Sequence, residues 1–165
     1  MTTGFEPILG IDPGFARCGY GLIGKEKNYP IAHTWGCIQT TPKTGDTSIR
    51  LLTIFEGIDD LIETYKPSCL SCEKLFFSRN TTTAMQVSEA RGVILLAAAK
   101  NHIPVYEYTP NQVKLAITGS GKADKKQIQM MIARLLRLSE IPQPDDAADG
   151  LSLALCHMNW MRTYR

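Results

Sequence analysis

Histidine and cysteine, the side chains that build zinc centres and nucleophilic triads, are few and poorly spaced in this chain. His33, His102 and His157 are scattered, and no serine or cysteine forms a convincing triad with them, so satisfied structural roles are expected for all three. The cysteines (Cys18, Cys37, Cys69, Cys72, Cys156) form an odd set without framework spacing, which argues against a disulfide scaffold and fits reduced thiols. Cys69-Leu70-Ser71-Cys72 does match C-x-x-C. A zinc ribbon needs a second such pair, and only Cys156-His157 comes near; a redox dithiol is expected at a helix N-terminus, whereas this pair lies in a strand-like run. Core cysteines are therefore expected. No stretch approaches the ~20 apolar residues of a membrane-spanning helix. The start, Met1 to Pro7, lacks the basic and apolar segments of a secretory signal, which predicts a cytosolic protein. A formal charge of +2 is too small to announce a polyanion partner, so any nucleic-acid argument must rest on local charge.

What is present has the size and balance of one globular domain. With 165 residues, 44% hydrophobic and 21% charged, the chain can bury an ordinary core, and a single domain over 1–165 is expected. Ile8-Leu9-Gly10-Ile11, Cys18 to Ile23 and Ile31 to Gln39 read as strands of an antiparallel meander. Leu51, Phe55, Ile58, Ile62 and Tyr65 recur at helical spacing until Pro67. Ser68 to Phe77 predicts a fourth strand. Asn80 and the threonines after it predict the cap of a helix through Lys100, with Gly92 as a close-packing point. Ile103 to Tyr108 predicts a fifth strand, Pro110 to Ala116 a short helix, and Asp124 the cap of a helix whose apolar positions run to Leu138. A last helix starts at the aspartates after Pro144. The order β-β-β-α-β-α-β-α-α-α describes an α/β fold: a mixed sheet, a three-strand antiparallel meander plus parallel strands, flanked by helices.

Three acidic stations carry the chemistry: Asp12 in Gly10-Ile11-Asp12-Pro13-Gly14, Glu73 in Ser71-Cys72-Glu73-Lys74, and Asp145-Asp146-Ala147-Ala148-Asp149. Each has an ordinary explanation to be weighed. Asp-Pro-Gly is common turn chemistry, and acids at a helix start are stabilised by the dipole and by unpaired backbone N–H groups. Glu73 has no capping role in an apolar strand, which makes it the least ordinary of them. On the last helix Asp146 and Asp149 share a face, and Asp145 and Asp149 also pair at a four-residue step. Several acids converging on one spot repel one another unless a cation meets them, and an all-oxygen set suits Mg²⁺ or Mn²⁺ better than zinc. Two such ions, roughly 3.5 to 4 Å apart, are suited to phosphodiester hydrolysis by in-line attack of water, without a nucleophilic side chain.

Local charge supplies a nucleic-acid argument. Pro110 to Leu138 holds six basic residues (Lys114, Lys122, Lys125, Lys126, Arg134, Arg137) against one acid, Asp124. A charge run alone is usually a solvated helix face. Here Lys122, Lys125 and Lys126 surround a glycine loop and a helix start, a setting suited to phosphate contacts.

Taken together, Ile8 to Gly14 followed by Gly19-Tyr20-Gly21, Glu73-x-x-Phe76, Gln86-x-x-x-Ala90-Arg91-Gly92, Val105-Tyr106-Glu107-Tyr108, Gln112-Val113-Lys114 and Asp146-Ala147-Ala148-Asp149 resemble the RuvC family of Holliday-junction resolvases. The similarity spans nearly the whole chain, with six pieces in the family's order. It implies an RNase H-like fold, a homodimer, and a metal-dependent endonuclease that resolves four-way DNA junctions by paired symmetric nicks in recombination and repair. It also implies two Mg²⁺ ions per site, with Mn²⁺ as an alternative, and partnership with the RuvA–RuvB branch-migration complex. Asp12, Glu73, Asp146 and Asp149 match the family's metal-binding catalytic acids. Phe76 matches an aromatic placed against bases near the junction centre, Arg79 falls where some members contact DNA, and Lys114 and Lys125 match basic positions near the scissile strand. Asp145 has no acidic counterpart in that pattern. Arg17 falls in a stretch that varies in the family and receives no role.

Three other readings use some of the same residues. Another RNase H-like nuclease, acting on RNA–DNA hybrids or flaps, would share the acids and differ in its substrate surface. An actin-like nucleotide-binding domain would use Gly10-Ile11-Asp12-x-Gly14 as a phosphate motif, but needs two such lobes to enclose ATP. A catalytically dead junction-binding module is disfavoured by intact acids at all four positions.

Overall fold

The computed structural model describes residues 6–75 and 81–163. Its elements are β1 (Ile8–Asp12), β2 (Arg17–Glu26), β3 (Tyr29–Gln39), α1 (Thr47–Tyr65), β4 (Cys69–Glu73), α2 (Thr81–Lys100), β5 (Val105–Tyr108), α3 (Pro110–Thr118), α4 (Lys125–Leu135) and α5 (Asp145–Thr163). The sheet runs β3-β2-β1-β4-β5. β1, β2 and β3 pair antiparallel as the meander, and β4 and β5 join parallel to β1, as the sequence order predicted.

Strand alternation sorts side chains onto two faces. Leu9 and Ile11 of β1, Cys18 and Leu22 of β2, and Leu70 and Cys72 of β4 point to the core under α1 and α2. Ile8, Ile23 and Cys69 point to the opposite core, beneath α5 with α3 and α4. α5 lies almost on the backbone of β1 and β2. A Cβ on Gly10 would sit 2.0 Å from the Gly150 carbonyl oxygen, so only glycine permits that approach. The row Gly10–Asp12 therefore faces α5, and Ser71–Glu73 does the same on β4, where the Ser71 hydroxyl donates to the Leu153 carbonyl at 2.7 Å.

Several local expectations need correction. β4 ends at Glu73 rather than Phe77, and the chain at Phe76 to Asn80 lies outside the described residues. Among the described residues Gly92 is no packing point, because a Cβ there would meet nothing within 4 Å. α3 extends to Thr118, where Gly119 in the left-handed region closes it. α4 stops at Leu135, since Arg137 adopts φ 55°, yet Leu136 and Leu138 still pack into the core from the turn. α1 buries Ile54, Ile58 and Ile62, and Tyr65 at its end is exposed.

The five cysteines are free thiols, and all but the half-buried Cys37 are core residues. His157 is buried, accepts or donates at 2.6 Å with the Tyr108 hydroxyl through Nδ1, and stacks on Tyr106. This is the satisfied structural role expected for it. No helix among the described residues is long and apolar enough to cross a membrane.

Candidate active site

The acids reach one place by three routes. Asp12 ends the central strand β1, Glu73 ends its parallel neighbour β4, and Asp146 and Asp149 project from the first turns of α5. Residue alternation puts Asp12 and Glu73 on the face that α5 covers, and the glycine contacts of β1 and β2 bring the helix start down onto them. One carboxylate oxygen from each of Asp12, Asp146 and Asp149 lies within 4.8 Å of the others. Glu73 is outside that tight trio but lines the same cavity as Asp12 and Asp149. The cavity, about 370 Å³, is completed by Lys114 and Lys125 and by an apolar wall that includes Val113, Ile128 and Leu153.

The electrostatics are those of closely grouped, partly desolvated carboxylates. Burial pushes the Asp12 carboxyl up to about 8, with Glu73, Asp149 and Asp146 adding to the rise and Lys125 opposing it. Glu73 is raised by burial and then by Asp149. Asp149 is raised by burial, against the pull of Lys125. Partial desolvation works against the Lys125 charge, but Asp149, Asp145 and Asp146 outweigh it and raise the pKa. The donor set fits a hard divalent cation: carboxylate oxygens only, converging from a rigid strand end and a helix start.

The basic residues divide. Lys114 and Lys125 stand on the cavity wall. Lys122 lies beside it, lining a shallow hollow with Thr118, Ser120, Gln127 and Met130, and Lys126 is exposed on α4. Phe76 and Arg79 lie outside the described residues. Two contacts had no place in the motif pattern. Arg17 Nε donates to Asp146 Oδ2 at 2.7 Å, and Lys125 Nζ lies 3.4 Å from Asp145 Oδ2. The signal for Arg17 was its spacing: it is two residues before Gly19, hence on the face of β2 that carries α5.

Comparison with known proteins agrees with this geometry. Residues 8–157 match the family model described as "Crossover junction endodeoxyribonuclease RuvC". Proteins with that same name from Pseudothermotoga lettingae and Desulforamulus reducens are similar at 52% and 50% identity, covering 91% and 95% of this chain and 92% and 96% of theirs. A solved structure described as "T. thermophilus RuvC in complex with Holliday junction substrate" superposes with a TM-score of 0.90 at 31% identity, over 96% of each chain.

Proposed function

The chain belongs to the RuvC family of crossover junction endodeoxyribonucleases, with the family's RNase H-like fold, and from that premise we propose that it resolves four-way DNA junctions by paired symmetric nicks at the acidic cavity. The observation that carries the proposal is the convergence of Asp12, Asp146 and Asp149, with Glu73 on the same cavity and two lysines on its wall. Asp12, Glu73, Asp146 and Asp149 would hold divalent cations, two Mg²⁺ or Mn²⁺ per site, which when bound supply activation of water and neutralise charge on the departing oxygen.

The chain's own residues do the rest. The four carboxylates present fixed oxygen donors on a strand pair and a helix start, so little reorganises when the site fills. Lys125 and Lys114 offer ammonium groups to phosphates beside the scissile bond, and Lys122 and Lys126 extend that basic border along the start of α4. Val113, Ile128 and Leu153 form a wall suited to sugar and base edges rather than to phosphate. Phe76 and Arg79 belong to the proposed DNA surface through the resemblance alone.

The paired nicks call for two copies. Met85 and Leu96 are exposed on α2 and share a face with Gly92, whose Cβ position is open, and this row, uncovered among the described residues, supports a homodimer. One nuclease domain over 1–165, a cytosolic setting suited to five free thiols, and cooperation with the RuvA–RuvB complex belong to the same proposal.

The test is incubation with Mg²⁺ and end-labelled DNA, comparing a four-way junction, a linear duplex and an RNA–DNA hybrid, with Asp12→Asn as control. Symmetric junction nicks that vanish in the control are expected. Cleavage of the hybrid alone, or full activity of Asp12→Asn, would overturn the assignment.

A further inference from the structure

Arg17 opens β2 and projects on the row Arg17–Gly19–Gly21, the side of the strand on which α5 rests. Gly19 and Gly21 meet the helix backbone and Leu151 directly, so the long side chain two residues before them is left to reach around the helix start. There its Nε donates to Asp146 Oδ2 at 2.7 Å, a charge-assisted hydrogen bond of good length. We propose that Arg17 is a positioning residue of the acidic centre, holding Asp146 by one oxygen so that the carboxylate is set to share a divalent cation with Asp12 and Asp149. The inference rests on the metal-centre reading above.

A bland alternative is a surface ion pair. The two side chains retain 46% and 24% of their exposure, and pairs this wet add little to folding stability. The consequence of the contact must then lie in where it leaves the carboxylate. A sharper alternative is a competitor: a guanidinium standing where a cation would sit. Such a group would touch more than one of the clustered acids. Among the described residues Arg17 bonds Asp146 and neither Asp12 nor Asp149, so it approaches from the rim rather than from the centre.

A carboxylate has two oxygens and about four lone-pair sites, so one hydrogen bond to Arg17 leaves Asp146 able to coordinate. Asp146 sits in the first turn of α5, partly exposed, where an untethered side chain would sample several rotamers. Outer contacts of this kind orient ligating carboxylates, and losing one typically weakens metal binding about 10- to 100-fold. Lysine in place of Arg17 would keep the charge but lose the planar fork.

The experiment uses the full metal-free chain without DNA, titrated with Mn²⁺ and followed by the paramagnetic resonance of the free ion. The unaltered protein, Arg17→Ala, Arg17→Lys and Asp12→Asn are compared, with thermal melts in chelator to confirm folding. Arg17→Ala is expected to weaken Mn²⁺ binding at least about 10-fold with an unchanged melt, and Arg17→Lys to recover part of the loss. Binding that is equal or tighter in Arg17→Ala overturns the inference alone. If the unaltered protein shows no saturable binding, or Asp12→Asn binds as well as it does, the metal-centre reading falls and this inference with it.

Discussion

A methyl group on Gly19 would lie 2.0 Å from the carbonyl oxygen of Asp146, so β2 and the helix that carries two of the acids are in backbone contact at the site itself. Gly19 is also the register partner of Asp12. One small residue thus sets the spacing between the acid of β1 and those of α5.

Gly19→Ala should therefore lift the start of α5. Overpacking of this kind costs about 1–3 kcal/mol, measurable as a lower urea midpoint. Cleavage should fall further than the loss of folded protein explains, on the order of 100-fold, because a displacement near 1 Å is enough to misplace reacting groups. A variant that is destabilised yet cuts normally per folded molecule would show that the glycine serves packing alone.

Asp12 predicts a conflict between stability and activity. Its carboxyl is pushed up to about 8 in the folded protein, against an ordinary value near 3.9 in the unfolded chain. The folded state therefore holds this proton more tightly than the unfolded state does. The stabilisation from the protonated acid is complete below about pH 4 and is lost as pH rises through about 8. In chelator, Asp12→Asn should be more stable than the unaltered protein by about 1–3 kcal/mol at pH 8.5, allowing for water at the open side of the cavity, with the advantage shrinking toward pH 4. Saturating Mg²⁺ should reverse the order. Urea titrations at several pH values decide it, and an advantage independent of pH would remove the burial argument for Asp12.

Much of this site was legible in the sequence because the acids sit on patterned elements. Asp12 and Glu73 lie at or near the ends of apolar runs that read as strands, and Asp146 and Asp149 mark a helix start after two prolines. Convergence itself was not legible: Gly19 and Gly21 alternate in the sequence, but which helix rests on them is settled only by the fold. Arg17 carries no motif signal because its stretch varies in the family the motifs resemble, and its partner lies 129 residues away. Gly92 misled for the opposite reason. A glycine inside a helix suggests close packing, but here its open side faces away from the chain's own core.

That open side makes the next prediction. Leu96 and Met85 are 59% and 65% exposed on the face of α2 that includes Gly92. If two copies meet there, Leu96→Glu should place an unpaired charge in the interface and convert a dimer to monomer in sedimentation at micromolar concentration. The melt at high dilution should hardly change, because the side chain is exposed in a single copy. Cleavage of the two opposed strands should lose its coordination. An unaltered sedimentation profile would exclude this face as the contact.

Lys125 offers the sharpest test of the DNA surface. Its ammonium lies 3.4 Å from Asp145, and both side chains are more than half exposed, so the pair is weak and easily exchanged for a phosphate. Lys125→Ala should weaken junction binding most at low salt, with the deficit narrowing as salt rises, because a lost phosphate contact lowers the slope of log K against log salt by about 1. Asp145→Asn should act in the opposite direction, freeing the lysine and removing a negative charge from the rim, and so should tighten binding. Measured with Ca²⁺ in place of Mg²⁺ to separate binding from cutting, these two variants bracket the unaltered protein if Lys125 meets the backbone. If Lys125→Ala leaves the salt slope unchanged while cleavage falls, the lysine acts on the acids of the centre, whose charged forms it favours, rather than on the phosphate backbone.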